Sequence, residues 1–280
     1  AIFVRRITES NGSNILESRN FPVGVEGGNS GNTPSQTLVD AYQMKDTGKF
    51  WNEEGSGFDP NNPYVGRDPR FNMTIVKNAD TGWPSYNTNP IQTYFNGTNG
   101  EPLSGATPTG YYLKKMLDST IDLRPGRETR SRHSWITYRL GEFYLNYAES
   151  VFKFLGSADA VSSAFPMSAR EAVNVVRGRT GVEMPALEVG LNNDDFWKQY
   201  TNERMVELAF EGHRFWDVRR WKEGDKFREV GLMKITRNSD DTYNYTRETQ
   251  KRLWDDKMYF FPIPQAELLK NDNLTQNPGY

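Results

Sequence analysis

Apolar and polar positions change rhythm near position 135. Before it, the patterned runs are short. IFVRRI (Ile2–Ile7) alternates as a strand, and SQTLVDAYQM (Ser35–Met44) reads as a short helix capped by Ser35. RFNMTIVK (Arg70–Lys77) alternates as a second strand. Between them lie Gly- and Asn-rich loops and a long polar stretch, NADTGWPSYNTNPIQTYFNGTNGEP. Loops of that length in a compact body are commonly functional or disordered.

After Trp135 the period becomes helical. Tyr144, Ala148, Val151, Phe152 and Leu155 fall on one face, and Gly156 supplies a stop. Ser168-Ala169-Arg170-Glu171 is a capping-box pattern that opens a helix through Val173 and Val176, ending near Gly178–Gly181. A third helix is expected from Asp195 to Gly212, extending toward Trp221. LMKITR and TYNYTR flank NSDD as a hairpin. MYFFPIPQAELLKND reads as an extended run and then a short helix with Pro264 near its first turn. The expected division is a loop-rich part over 1–135, carrying the ligand-facing side, and a helical body with hairpin and tail over 136–280. Antiparallel helices on short links suggest a mainly α architecture of helical pairs, although no strict 34-residue repeat occurs.

Composition narrows the function. Hydrophobic content is 36% with 13% aromatic, and mean hydropathy is −0.77. Rings are abundant in a polar chain. With 34 basic and 36 acidic side chains and no basic stripe, nucleic acid is not the expected partner. No run of eighteen apolar residues occurs, so no membrane-spanning helix is expected. Cysteine is absent, which removes disulfides, thiolate metal sites and thiol nucleophiles.

The densest candidate chemistry is ELAFEGHRFWDVRRW, from Glu207 to Trp221. On a continuous helix Glu207, Glu211 and Arg214 share a face. Two carboxylates one turn apart fit the acid and base of a glycoside hydrolase. Yet Arg204, Arg214, Arg219 and Arg220 lie close by, and a guanidinium keeps a carboxylate ionised, which is wrong for a general acid. Structural ion pairing is the preferred reading. Trp216 and Trp221 read as packing residues that seat the helix end. His133 and His213 are the only histidines, and no nucleophile elbow or metal-ligand spacing accompanies them. Calcium near Asp59 and Asp68 lacks EF-hand spacing. No cofactor, metal or catalytic residue is assigned.

Several segments together resemble the SusD/RagB family of outer-membrane nutrient-binding lipoproteins. ERMVELAFEGHRFWDVRRW resembles its characteristic helix and YRLGEFYLNYAES the helix with a Tyr147-Ala148-Glu149 core. AREAVNVVRGRTG resembles its arginine-ending helix, and FPIPQAELLKNDNLTQNPGY its C-terminal ending. GRDPRFNMTIV and TGYYLKKM also resemble family segments, in the expected order over nearly the whole chain. The resemblance implies a SusD-like α-α superhelix with TPR-like helical pairs, long loops and a few short strands. It implies a surface protein that captures glycans, or peptides in RagB-like members, beside a SusC-like TonB-dependent transporter, without catalysis. Family members also carry an N-terminal half with a lipidated cysteine, so the ragged apolar start AIFVRRIT reads as the C-terminal part of such a protein.

A pyranose has an apolar C–H face and a rim of hydroxyls, so a binding site for it joins flat rings to amides and charged groups. The loops before Trp135 have that composition. The candidate ligand residues are Trp51, Tyr64, Trp83, Tyr86, Asn89, Tyr94 and Asn96, with Asn87 and Gln92 as neighbours. The same rings suit a second role, pinning long loops to the body, and Trp83 fits that role best. A helical-repeat module with a protein as its only ligand is the further alternative.

Overall fold

The computed structural model describes residues 1–6 and 12–280. In chain order the elements are β1 (Phe3–Arg5), α1 (Ile15–Asn20), α2 (Gln36–Ala41), α3 (Arg70–Thr74), β2 (Ile75–Val76), β3 (Tyr112–Leu113) and β4 (Trp135–Tyr138). There follow α4 (Leu140–Leu155), α5 (Ala169–Arg177), α6 (Asn193–Glu207), α7 (Arg214–Arg220), β5 (Glu229–Arg237), β6 (Tyr243–Lys251) and α8 (Gln265–Leu268). The strands form three antiparallel pairs, β1 with β4, β2 with β3 and β5 with β6. The architecture is mainly α, with long loops and a few short strands. Ile7, the end of the first expected strand, lies outside the described residues.

The helical body follows its sequence rules. Leu145, Ala148, Val151 and Phe152 are the buried apolar positions of α4, and Gly156 ends it in the left-handed region at φ 75°. Ser168 and Glu171 close the capping box of α5. The Asn192 side chain caps α6 by accepting from the Asp195 amide at 2.8 Å. These three helices bury Ala169, Val173, Val176, Phe196, Tyr200 and Leu208 with the α4 face in one cluster. Trp197 stacks on Phe152, and Trp221 meets Trp197 edge-on at 5.2 Å. Trp216, expected to pack in the same way, is exposed and touches Phe215 and Phe261 instead.

Two expected elements differ. Arg70–Lys77 is not one strand: α3 occupies its first half. Pro69 sits at φ −53° before Arg70, and the Asp68 side chain accepts the Arg70 amide at 2.9 Å, so a helical turn starts where alternation suggested extension. The third helix ends at Glu207, five residues short of Gly212, because Phe210 at φ 61° and Gly212 at φ 84° leave the helical region before α7 begins. The hairpin forms as expected, with Lys234 opposite Thr246.

Two further clusters lie toward the loops. One joins Val39, Tyr42, Phe71, Ile75, Tyr94 and Tyr111 to Val206, Met233 and Ile235, so the core runs across position 135. The other gathers Phe21, Val25, Val76, Trp83, Ile91 and Tyr112 under the Asn-rich loop. Among the described residues no helix is long and apolar enough to cross a membrane.

Candidate ligand site

The candidate residues do not share one environment. Trp83 and Tyr94 are buried, at 6% and 8% exposure. Trp83 meets Phe21 edge-on at 5.8 Å. Tyr94 packs on Tyr243 and donates its hydroxyl to the Gln92 side chain at 3.1 Å. Both rings are covered by protein in this structure, as expected for rings that pin a loop to the body. Tyr86 is half-buried. Its hydroxyl donates to the Glu26 carbonyl at 2.7 Å, and the Arg124 guanidinium sits 5.2 Å from its ring centroid. Burial, and then the Asp122 carboxylate, push its phenol up to about 12, so it remains a donor.

Asn89 belongs to a polar cleft of about 300 Å³ lined by Gly24, Val25, Asn87, Asn89, Pro90, Gln92, Thr98 and Asn99. Its walls are fixed by their own hydrogen bonds. Asn87 donates to the Trp83 and Asn89 carbonyls at 3.1 and 2.9 Å. The buried Asn99 donates to the Val23 carbonyl at 2.8 Å and accepts the Gln92 amide at 3.0 Å. Gly24 sits at φ 85° against the Thr98 carbonyl, where a Cβ has no room. Asn96 is exposed on a turn at φ 67° outside the cleft, and its amide donates to the Glu101 carbonyl at 2.7 Å. Sequence composition pointed to Asn87, Asn89 and Gln92. Gly24 and Asn99 reach the cleft only through the fold.

Tyr64 packs on the cluster that also holds Tyr94 and Tyr111. Tyr64 stacks on Phe71 with an interplanar angle of 15° and meets Tyr111 and Tyr245 edge-on. Burial raises its phenol well above the ordinary value, with Tyr111 adding to the effect. Trp51 is half-buried against Phe58 at 5.4 Å, and the Arg247 guanidinium lies 3.7 Å from its ring centroid. No local pattern announces Arg247, which arrives from β6.

Glu207 and Glu211 border another cavity, of about 320 Å³, with Met73, Lys115, Trp135, Arg139 and Arg179. Both acids are saturated by cations. Glu207 accepts from Arg139, from Arg70 at 2.9 Å and from Arg179 at 2.6 Å. Glu211 accepts from Lys115 and from Arg139, each at 2.7 Å, and again from Arg139 at 2.6 Å. Burial alone would raise the Glu207 carboxyl. The Arg139, Arg70 and Arg179 charges outweigh it and hold the group at about 2. Neither acid is poised to give up a proton near neutrality. Glu203 and Asp68 extend the network through Arg70, and Arg177 joins it at Glu203.

The remaining candidates serve locally. His133 pairs with the buried Glu17, and His213 lies 3.8 Å from Glu142 at the start of α7. Asp59 caps its own turn through Asn61 and Asn62. Among the described residues no group of three or more His, Asp or Glu converges as metal ligands.

Comparison with known proteins places this geometry in a lineage. The model described as "SusD family" matches residues 2–280. SusD-like protein P2 of Formosa agariphila is 30% identical over 158 residues, covering 55% of this chain and 27% of that protein. A SusD-like protein of Bacteroides fragilis superposes with a TM-score of 0.71 at 28% identity, covering 94% of this chain and 50% of its own. A second protein of that organism, described as a SusD-like carbohydrate binding protein, gives a TM-score of 0.70 at 22% identity, covering 98% and 54%. The chain thus spans about half the length of the solved relatives it matches.

Proposed function

This chain belongs to the SusD family, and from that premise we propose that it is part of a cell-surface receptor that captures oligosaccharide at the outer membrane. It passes the saccharide to a SusC-like TonB-dependent transporter and breaks no bond. The observation that carries the reading is the amide cleft around Asn89, whose walls are held by hydrogen bonds to backbone before any ligand arrives. Hydroxyl rims need donors and acceptors in fixed positions, and prior fixing lowers the ordering cost of binding. The relative described as carbohydrate binding supports the choice of sugar as ligand. Capture without hydrolysis is supported by the paired state of Glu207 and Glu211, which keeps both ionised, so that neither serves as the acid that protonates a glycosidic oxygen.

The test is calorimetric titration of the protein with neutral and acidic oligosaccharides, maltoheptaose, xylohexaose and trigalacturonate among them, beside a set of pentapeptides. A saturable saccharide signal is expected, weakened about 10-fold or more in the Asn89→Ala, Gln92→Ala double variant. Peptide binding with no saccharide binding would transfer the protein to a RagB-like peptide receptor. Turnover of an aryl glycoside that disappears in Glu211→Gln would replace capture by hydrolysis.

A further inference from the structure

Arg67 is 5% exposed, and its Nη2 donates to the Val39 carbonyl at 2.5 Å. Its Nε and Nη1 meet no acceptor among the described residues. Arg247 donates from Nη2 to Asp40 at 2.9 Å, and its Nε is likewise without an acceptor among the described residues. The two guanidinium carbons lie 5.6 and 5.4 Å from the centroid of one ring, that of Phe58. Asp40 pairs with Arg247 and acts on Arg67 only through its field, and it also accepts from Gln36 at 2.7 Å.

A buried donor without a partner costs roughly 1–3 kcal/mol, and a buried charge more. A buried group of this kind calls for a partner from outside the chain, a water, an ion or a ligand. Burial pulls the Arg67 guanidinium down to about 10, with Asp40 opposing. Two forked donors with excess positive charge suit a planar or tetrahedral oxyanion, which accepts paired N–H bonds. Trp51 lies on Arg247 at the outer side of the pair, where a half-buried indole also suits the apolar face of a sugar ring. Arg247 is the more exposed of the two. The Phe58 ring is within cation–π distance of both guanidinium groups.

We propose that Arg67 and Arg247, with Trp51, form a subsite for an anionic substituent of the captured saccharide, a uronate carboxylate or a sulfate ester. This rests on the glycan-capture reading and sharpens it: the protein selects acidic over neutral chains.

Calorimetry with trigalacturonate, its methyl ester, a sulfated galactan tetrasaccharide and its desulfated form tests it. The wild type is expected to favour at least one anionic member over its uncharged counterpart by about 10-fold or more. Which pair shows the preference identifies carboxylate or sulfate. Arg67→Met and, at the more exposed position, Arg247→Met each bring that ratio close to one. Equal affinity within both pairs in the wild type overturns the anionic subsite and leaves glycan capture standing. A preference that survives both substitutions overturns the assignment to these arginines. Binding of triglutamate with none of the four saccharides overturns the subsite and the glycan reading together.

Discussion

Arg67 and Arg70 are near neighbours in sequence and almost equally hidden, at 5% and 4% exposure, yet their surroundings are opposite. Arg70 reaches Asp68 at 2.6 Å, Glu203 at 2.5 Å and Glu207 at 2.9 Å. Arg67 reaches one backbone carbonyl. The first arginine joins α3 to α6 and, through Glu207, to Arg139 and Arg179. The second faces aromatic carbon and another guanidinium. Charge and ring content alone do not separate a brace from a receptor surface. The balance of donors and acceptors is what differs between these two.

The sharpest way to break this comparison is to remove the saturated arginine. Arg70→Met leaves Asp68, Glu203 and Glu207 short of a cation, and breaking a buried pair from one side costs about 3–5 kcal/mol. Urea denaturation should show that loss in the midpoint. A loss below about 1 kcal/mol would mean that the network is not a brace.

Acid should find the same region first. The Glu207 carboxyl is held at about 2 in the fold, against an ordinary value of 4.5. A carboxyl depressed by folding adds stability above its unfolded value and loses it as pH falls through its folded value. The contribution is thus present above pH 4.5 and fades toward pH 2. It is on the order of 3 kcal/mol. Stability measured from pH 7 to 2 should fall across that window, and Glu207→Gln should flatten the fall. A wild-type profile that stays level between pH 5 and 2 would count against strong ionic pairing at Glu207.

How far these regions were readable from sequence follows from the range of the interactions that make them. The faces of α4 and α5 are set by spacing and capping within a few residues, and the β5–β6 hairpin is equally local. Ser168→Ala should cost about 1 kcal/mol by thermal or urea denaturation, a yardstick from a feature legible in four letters. Arg70–Lys77 misled because a local cap at Asp68 competes with alternation. Glu207 and Glu211 were readable as paired acids, though not with which cations: Arg139 is 68 positions from Glu207 and Lys115 is 96 from Glu211. Trp83 and Tyr94 could not be told from exposed rings, since a loop carries no period that assigns its faces. Arg247 meets Asp40 across 207 positions, so the ring-and-guanidinium cluster has no sequence signal beyond Trp51 and Tyr64 themselves.

The smallest expected change discriminates most. Arg67→Met removes the Val39 hydrogen bond, worth about 1 kcal/mol net, and at the same time removes two unpartnered donors and a buried charge. A flexible apolar chain of similar length fills the space beside Phe58. The two effects oppose, so the net cost in a urea titration should be under about 1 kcal/mol, against several for Arg70→Met. That asymmetry between two arginines of equal burial is what a residue kept for a ligand requires: it contributes little to the fold and leaves its donors to be satisfied from outside. If Arg67→Met costs as much as Arg70→Met, Arg67 is as structural as its neighbour, and the anionic subsite loses its inner wall.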